Sequence, residues 1–196
     1  MKGFLIALGV IVLLVLLLGG CGVGKYNDMN MSQKEAQSKW ADVQSSYQRR
    51  SDLIPNLVQT VKGAANFETT TLTAVIQARA SATQIKIDPK DLTPEKLQQF
   101  QQSQGQLSQA LGRLMVVSEQ YPQLKANENF KSLQDQLEGT ENRIKVARDA
   151  YNEAVKNYNI MVSNFPNNIV AGMCHFKEMT MFQADADAQK APKVQF

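Results

Sequence analysis

The stretch from Leu133 to Phe165 constrains the fold more than any other part of this 196-residue chain. Apolar or small residues recur in it at alternating steps of four and three residues. They are Leu133, Leu137, Thr140, Ile144, Ala147, Tyr151, Ala154, Tyr158, Met161 and Phe165. An average period of three and a half residues is typical of a helix whose apolar seam lies against other helices. The spacing therefore predicts a long helix, about 128–164, inside a bundle, with Asn127 as its candidate cap.

A second seam with the same period runs from Tyr26 to Ala64 and passes through Pro55 without losing phase. A proline removes one backbone hydrogen bond and disturbs the preceding turn of a helix. Because the phase is unbroken, we predict one long helix, about 28–65, with a kink at Pro55. The alternative is a second helix that starts at a cap formed by Ser51 and Asp52.

Two shorter helices are predicted between the long ones, at 68–84 and 94–119. Thr93 followed by Pro94 is a cap with proline at the first helical position, and Tyr121-Pro122 ends the second of them. The fold class is therefore all-α, an up-and-down antiparallel bundle of four helices, two of them long, behind an N-terminal hydrophobic anchor helix. The predicted parts are an anchor or signal peptide (1–21), a linker (22–27), the bundle (28–165) and a tail with a short helical turn and then extended chain (166–196).

The N-terminal segment has no charged residue from Gly3 to Gly20. As a helix it would reach about 27 Å, just short of the roughly 30 Å hydrocarbon core of a bilayer. It is either a retained transmembrane helix or a signal peptide. Leu18-Gly19-Gly20-Cys21 resembles the lipobox of bacterial lipoproteins, which makes Cys21 a lipidation candidate. Otherwise Cys21 is an ordinary residue at the membrane face.

Both readings tether the chain to a membrane, but the sequence leaves its orientation open. Positive charges stand on both sides of the apolar segment. A lipidated Cys21 would place the bundle outside the cytosol and leave Cys174 without a disulfide partner, whereas a Cys21–Cys174 bridge is the less favoured alternative. The 21 basic and 18 acidic residues are spread along the chain without a basic stripe. We therefore predict no nucleic-acid partner.

Several motifs, in order, resemble the LemA family. The first is Arg49-Arg50-Ser51-Asp52-Leu53-Ile54-Pro55-Asn56-Leu57-Val58, and later ones are Phe67-Glu68, Tyr121-Pro122-Gln123-Leu124-Lys125-Ala126, Tyr151-Asn152, Tyr158-Asn159, Phe165-Pro166 and the closing Ala191-Pro192-Lys193-Val194-Gln195-Phe196. The resemblance covers residues 25–196. Met173-Cys174-His175 departs from it, where glycine or an aromatic residue is expected before Phe176-Lys177. The resemblance implies a membrane-anchored bacterial helical bundle of undefined biochemistry, with suggested links to envelope stress and membrane-bound proteolysis.

No catalytic, metal or cofactor site is predicted. Cys174 and His175 are the candidate nucleophile and base, but adjacent residues point in different directions and no orienting group can be assigned. One histidine and one spare cysteine cannot form a structural zinc site. Asp185 with Asp187 is too sparse for a calcium loop.

Two arginines suggest a polar network or a partner surface. Arg50 occupies a seam position, where a buried charge needs a partner, and Asp52, Glu68 and Glu141 are the candidates. Arg79 is the second arginine of this set. We favour an internal ion pair that fixes helix register over a groove that receives a partner.

Two further patterns have a structural and a ligand-binding interpretation. The Tyr-Asn pair at 151 and 152 recurs seven residues later, which favours core tyrosines with hydrogen-bonded asparagines over a ligand site. At the C-terminus, Val194 and Phe196 with a free carboxylate could enter a PDZ-type groove. A tail packed along the bundle is the preferred interpretation.

The predicted function is that of a membrane-tethered, non-enzymatic interaction or scaffold protein of the bacterial cell envelope. The alternative is an accessory or regulatory subunit of a membrane-bound protease in an envelope stress response. A hydrolase is the third and weakest class. The expected partners are the membrane and an unidentified envelope protein, with self-association left open.

Overall fold

The computed structural model describes residues 2–63 and 67–183, without the side chains of most of the first 21 residues and of Lys90. This part of the chain contains helices and no β-strand, so the all-α prediction is confirmed. The helices are α1 (Lys2–Lys62), α2 (Thr69–Gln84), α3 (Pro94–Ser118), α4 (Pro122–Lys125), α5 (Glu128–Ser163) and α6 (Asn167–Met173), with a 3₁₀ turn at Pro89–Asp91.

Helix α1 continues through Pro55, which confirms the prediction of one helix over that of a fresh start at Ser51. It is also longer than predicted, because it runs without a break through 22–27, where we expected a flexible linker. Gly22 and Gly24 each lower helix propensity by about 1 kcal/mol, but they keep the N–H and carbonyl that the helix needs. Glycine alone, without a proline or a chain reversal, therefore does not end α1.

Helices α1 and α5 lie side by side and run in opposite directions. Arg50 bonds Glu141, and ten residues earlier Trp40 packs on Tyr151, which is ten residues later. The two long helices are thus companions over most of α5, as their matching seams predict. In the same way, α3 runs parallel to α1, since Phe100 packs on Trp40 and Gln104 bonds Arg50.

The core consists of three apolar clusters stacked along α1 and α5. The cluster farthest from the N-terminus joins the second half of α1 to α2, α3, α4 and the start of α5. The middle cluster surrounds Trp40, which is fully buried. The cluster nearest the N-terminus packs Met29 against Tyr158, Val162 and Ala171. The predicted seams supply most of these side chains.

Side-chain caps begin two of the helices where the sequence predicts them. The hydroxyl of Thr93 accepts a hydrogen bond from the backbone N–H of Lys96 at 3.3 Å. The side-chain oxygen of Asn127 accepts from the backbone N–H groups of Asn129 and Phe130 at 2.9 and 3.2 Å. Such caps satisfy N–H groups that have no partner within the helix.

The chain beyond α5 turns back along the bundle. Helix α6 is seven residues long, against the single turn that we predicted. Residues 177–183 then form no regular secondary structure and lie along α5, which they contact through hydrogen bonds described below. The extended chain that we predicted for the last ten residues, and its packing on the bundle, lie outside the described residues. Val194 and Phe196, and with them the proposed C-terminal ligand motif, lie outside the described residues.

Within the part of the chain that the structure describes, no helix has the length and apolar character needed to span a bilayer. The side chain of Cys21, the lipidation candidate, lies outside the described part.

Candidate interaction sites

Arg50 is the most buried charged residue in the described part, with 2% of its surface exposed. Its Nη1 donates to Glu141 Oε2 and to Ser108 Oγ, both at 2.9 Å. Its Nη2 donates to Gln104 Oε1 at 2.5 Å. The guanidinium carbon also lies 5.0 Å from the centre of the Tyr47 ring, a cation–π distance. One side chain of α1 therefore binds both α3 and α5.

Of the three carboxylates expected near Arg50, the structure brings only Glu141 to it. Asp52 instead accepts a hydrogen bond from Gln48 Nε2 at 2.7 Å on the outside of α1. Residues two apart on a helix do not face each other, which separates Asp52 from Arg50. Glu68 is exposed at the start of α2 and lines a groove between α2 and α3.

Arg79 is bound to a main-chain carbonyl and not to an acidic side chain. Its Nε donates to the main-chain carbonyl of Ser51 at 2.9 Å. In a helix this carbonyl would accept from the N–H of the residue four positions later, which here is Pro55 and has none. Arg79 therefore replaces the backbone bond that the proline removes, and it fastens α2 to α1 at the same point.

A groove of about 340 Å³ opens between α3 and α5 beside the Arg50 side chain, and Glu138, Glu141 and Met115 are among its lining residues. The Nε of Arg50 and the hydroxyl of Ser51 are buried and have no hydrogen-bond partner within the described residues. Because both acidic side chains stand at this groove, its charge does not favour an anion.

A second polar arrangement, which we call the α5 clamp, consists of Tyr151, Asn152, Tyr158 and Asn159. The Asn159 side chain donates to the carbonyl of Met179 at 2.9 Å and accepts from the N–H of Met179 at 2.8 Å. Asn152 forms the same pair of bonds with Phe182, at 3.2 and 2.8 Å. Each asparagine thus binds the main chain of one residue as a neighbouring β-strand would.

The tyrosines of the α5 clamp complete the contact with residues 177–183, which we call the docked segment. Tyr158 Oη donates to the carbonyl of Lys177 at 3.0 Å, and Tyr151 Oη donates to the carbonyl of Thr180 at 2.8 Å. Burial raises the pKa of both phenols above the ordinary value, most strongly for Tyr151. Both hydroxyls therefore remain protonated donors to a higher pH than an exposed phenol does.

The repeat of the α5 clamp matches the repeat of an extended chain. Seven residues of helix advance about 10.5 Å, and three residues of extended chain advance about 10 Å. The asparagines are seven apart and bind residues three apart; the tyrosines do the same. Helix and docked segment are therefore in register over two repeats.

Phe182 is the buried side chain of the docked segment, with 6% of its surface exposed. Its ring is stacked on Trp40 at a centroid distance of 5.7 Å and meets Tyr151 edge-on at 5.5 Å. The Arg148 guanidinium carbon lies 4.8 Å from the centre of the Phe182 ring, and its Nη2 donates to the carbonyl of Gln183 at 3.3 Å. This aromatic pocket fixes the docked segment at one end.

The α5 clamp is the arrangement that the sequence reasoning identified only in part. The repeat at seven predicted buried tyrosines and hydrogen-bonded asparagines, and both features are present. The partner of the asparagines was not predicted, because it is the main chain of a segment some 20 to 30 residues away. The signal that could have identified it is the match between seven helical and three extended residues.

Cys174 and His175 lie together at the end of α6, and both are exposed. His175 has a φ of 61°, the left-handed conformation. The N–H of Phe176 donates to the carbonyl of Ala171 at 3.0 Å, which closes the helix in the manner of a Schellman motif. This explains why the resemblance leads one to expect glycine near this position. Among the described residues no group of His, Cys, Asp or Glu side chains is arranged to hold a metal ion.

Two wide grooves open on the outside of the bundle. One, of about 870 Å³, lies between α2 and α3 and is lined by Glu68, Ala74, Arg113 and Val116, among others. The other, of about 720 Å³, follows α5 beyond the end of the docked segment. Glu68 and Arg113 give the first groove charges of both signs, and acidic and basic side chains of α5 do the same for the second. Neither groove therefore has a single sign of charge.

Comparison with known proteins identifies relatives over most of the chain. Residues 39–196 match the LemA family. The chain is 28% identical over 176 residues to magnetosome protein MamQ 2 of Paramagnetospirillum magneticum, which spans 81% of this chain and 65% of that protein. It is 26% identical over 162 residues to protein LemA of Metamycoplasma hominis, which spans 83% of this chain and 70% of that protein. The chain thus covers slightly less than two thirds of the MamQ relative. Because the family match extends over most of its length, this chain belongs to the LemA family.

Proposed function

We propose that this protein is a non-enzymatic interaction or scaffold protein, tethered to a membrane of the bacterial cell envelope. The observation that supports the proposal is that the larger buried polar side chains of the bundle bind other parts of the bundle. Arg50, Arg79 and the α5 clamp all bind other parts of the same chain. With these groups occupied, the surface that stays open consists of long grooves along the helices.

The shape of these grooves favours a macromolecular partner. Small-molecule sites are enclosed and mostly apolar, with a few convergent polar groups. The groove between α2 and α3 is instead open along two helices and carries small side chains such as Ala74, Ala78 and Ser81. Small residues let another helix or strand approach closely.

The support for the tether comes from the sequence. Residues 3–20 carry no charge and consist largely of leucine, isoleucine, valine and glycine. The relatives of this chain include a magnetosome protein, which also leads us to expect attachment to a membrane. The mass of the mature N-terminal peptide tests it, since an acylated Cys21 would define both the cleavage and the anchor.

The interaction role is tested by proximity labelling of the full chain in its host. The expected result is a reproducible set of envelope proteins whose labelling falls at least fivefold in an Ala74→Arg variant, because the added side chain fills the α2–α3 groove. Thr73→Arg is the matched control, since Thr73 is exposed on the same helix but does not line that groove. Equal labelling in the two variants would remove the groove from the proposal.

The identity of the labelled proteins separates the remaining candidates. A membrane-bound protease at the head of the set would favour the accessory-subunit function, and labelling of the chain itself would indicate self-association. Turnover of peptide substrates by the purified chain, lost in Cys174→Ala or His175→Ala, would replace the proposal with a hydrolase.

A further inference from the structure

The α5 clamp binds the docked segment mainly through its main chain. All six hydrogen bonds that Tyr151, Asn152, Tyr158 and Asn159 form with the docked segment go to backbone N–H or carbonyl groups. Main-chain groups are the same for every residue except proline. The arrangement is therefore tolerant of sequence, as in β-strand addition, where the backbone supplies affinity and side-chain pockets supply specificity.

Selectivity resides mainly in Phe182, with a smaller contribution from Met179, which is partly buried against the core. Phe182 fills the pocket formed by Trp40, Tyr151 and Arg148, whereas the other side chains of the docked segment are at least partly exposed. A segment that fits must be extended, carry an aromatic residue at the position bound by Asn152, and have an N–H there and three residues earlier. Proline is excluded at both of these positions.

We propose that the α5 clamp is a peptide-binding site, occupied in the isolated chain by its own docked segment, and that its ligand is an extended segment with an aromatic residue from a partner protein. The inference rests on the proposed interaction function and names the chemistry of the partner. It also gives the Tyr-Asn repeat a role in binding a partner, beyond holding the docked segment on α5.

Exchange of the occupant is feasible on energetic grounds. Each of the hydrogen bonds contributes only modestly to stability, because it replaces a bond to water, and one side chain of the docked segment is buried among the aromatics. The docked segment therefore opens locally at a lower cost than unfolding of α1 or α5. Because it is covalently attached, its effective concentration is in the millimolar range. A free peptide must compete with that value, unless the resident segment is weakened.

The test uses the full chain with Phe182→Ala, which empties the aromatic pocket and leaves the α5 clamp intact. The probe is a fluorescent peptide with the sequence of residues 177–183, followed by anisotropy. We expect it to bind this variant at least tenfold more tightly than it binds the wild type. Adding Asn152→Ala and Asn159→Ala to the variant should abolish this gain, since the pairs of main-chain bonds are then lost.

Two further peptides test the main-chain contact directly. Methylation of the peptide nitrogens that correspond to Met179 and Phe182 removes both donors and should weaken binding at least tenfold. A peptide that keeps the residues corresponding to Met179 and Phe182 and permutes the others should bind within threefold of the original. Equal binding of the methylated peptide, or loss of binding by the permuted one, would overturn main-chain recognition.

A variant that fails to fold is replaced by a measurement on the wild type. Millimolar peptide should then accelerate hydrogen exchange of the chain's own Met179 and Phe182 amides, and unchanged exchange would overturn the inference. A dimer that exchanges docked segments between copies would also overturn the partner assignment.

The result is distinguishable from a failure of the proposed function. If the peptide does not bind but labelling still depends on the α2–α3 groove, the interaction role stands and the clamp inference falls. If the peptide binds but the full chain labels no envelope protein, the α5 clamp is a peptide-binding site and the proposed interaction function falls.

Discussion

The Nε of Arg79 lies 2.9 Å from the main-chain carbonyl of Ser51, the carbonyl that Pro55 leaves without a partner inside α1. The arginine thus compensates for the hydrogen bond that the proline removes. Pro55 lacks the N–H that would bond this carbonyl inside α1, and the Arg79 side chain of α2 donates to it instead. This fixes the position of α2 along α1 as well as satisfying a carbonyl.

The first prediction is a coupling between these two residues. Arg79→Ala should lower the free energy of unfolding by about 1–2 kcal/mol, because a charge-assisted hydrogen bond is lost and the carbonyl of Ser51 is left unpaired. In a Pro55→Ala background the backbone N–H bonds that carbonyl, and the same substitution should cost under about 0.5 kcal/mol. Urea unfolding of the four chains measures the coupling.

The control for this cycle is Arg113→Ala in the same two backgrounds. Arg113 lines the groove between α2 and α3 and has no bond to Ser51. Its effect should be equal with and without Pro55. Additive effects for Arg79 and Pro55 would show that the arginine does not compensate for the proline.

The second prediction concerns the buried charge of Arg50. Arg50→Ala should cost about 3 kcal/mol, since it leaves a cavity and the side chain of Gln104 without its donor. Glu141→Gln should cost only about 1 kcal/mol, because the Glu141 side chain is 58% exposed and solvent screens its charge. Glu138→Gln, at the same groove, should be neutral.

Equilibrium unfolding in urea at two salt concentrations measures these three variants. A cost for Glu141→Gln as large as that for Arg50→Ala would mean that the ion pair, and not the bonds to α3, holds the arginine.

The third prediction follows from the buried tyrosines. Burial raises the pKa of Tyr151, so its contribution to stability is fully present below the unfolded value near pH 10 and is lost as the pH rises towards the folded value. The free energy of unfolding should therefore decline above about pH 10 in the wild type. Tyr151→Phe should be less stable at pH 7 by about 1 kcal/mol, the value of one hydrogen bond.

The measurement is a series of urea denaturations between pH 7 and pH 11. The stabilities of the variant and the wild type should converge at the alkaline end. Curves that stay parallel would contradict a role for the neutral phenol.

The fourth prediction concerns the end of α6. His175 has a φ of 61°, a conformation that is unfavourable for residues with a Cβ atom. His175→Gly should raise stability by about 0.5–1 kcal/mol, since the relief of strain exceeds the entropy that glycine adds to the unfolded chain. Cys174→Gly is the matched control and should lower it, because Cys174 has a φ of −98°. The difference in thermal midpoint between the two variants gives the sign directly.

The helices themselves could be predicted from sequence with good accuracy. The seams that start at Tyr26 and Leu133 identify the partners α1 and α5, and the caps at Thr93 and Asn127 place two helix starts correctly. These signals are local and periodic, which is why they can be recognised in one sequence. The glycines at 22 and 24 misled because a propensity difference of about 1 kcal/mol is small against the continuity of a helix.

The polar contacts were harder to predict, for a physical reason. A carboxylate partner for Arg50 can be sought among acidic residues, and Glu141 was among the three candidates. The acceptors of Arg79 and of Asn159 are main-chain carbonyls, which every residue has. Such bonds leave a signal in the sequence only at the residue whose side chain donates. The position of Pro55 and the seven-residue repeat of the Tyr-Asn pairs are the only traces of them.

The most direct test of this account is residue-level hydrogen exchange on the wild-type chain. The contact between the α5 clamp and the docked segment predicts that the amides of Met179 and Phe182, which bond Asn159 and Asn152, exchange at least tenfold more slowly than those of the neighbouring Glu178 and Met181. In the Asn152→Ala, Asn159→Ala double variant this difference should vanish, while Lys156→Ala on the same helix should leave it intact. Equal exchange of all four amides in the wild type would contradict the account.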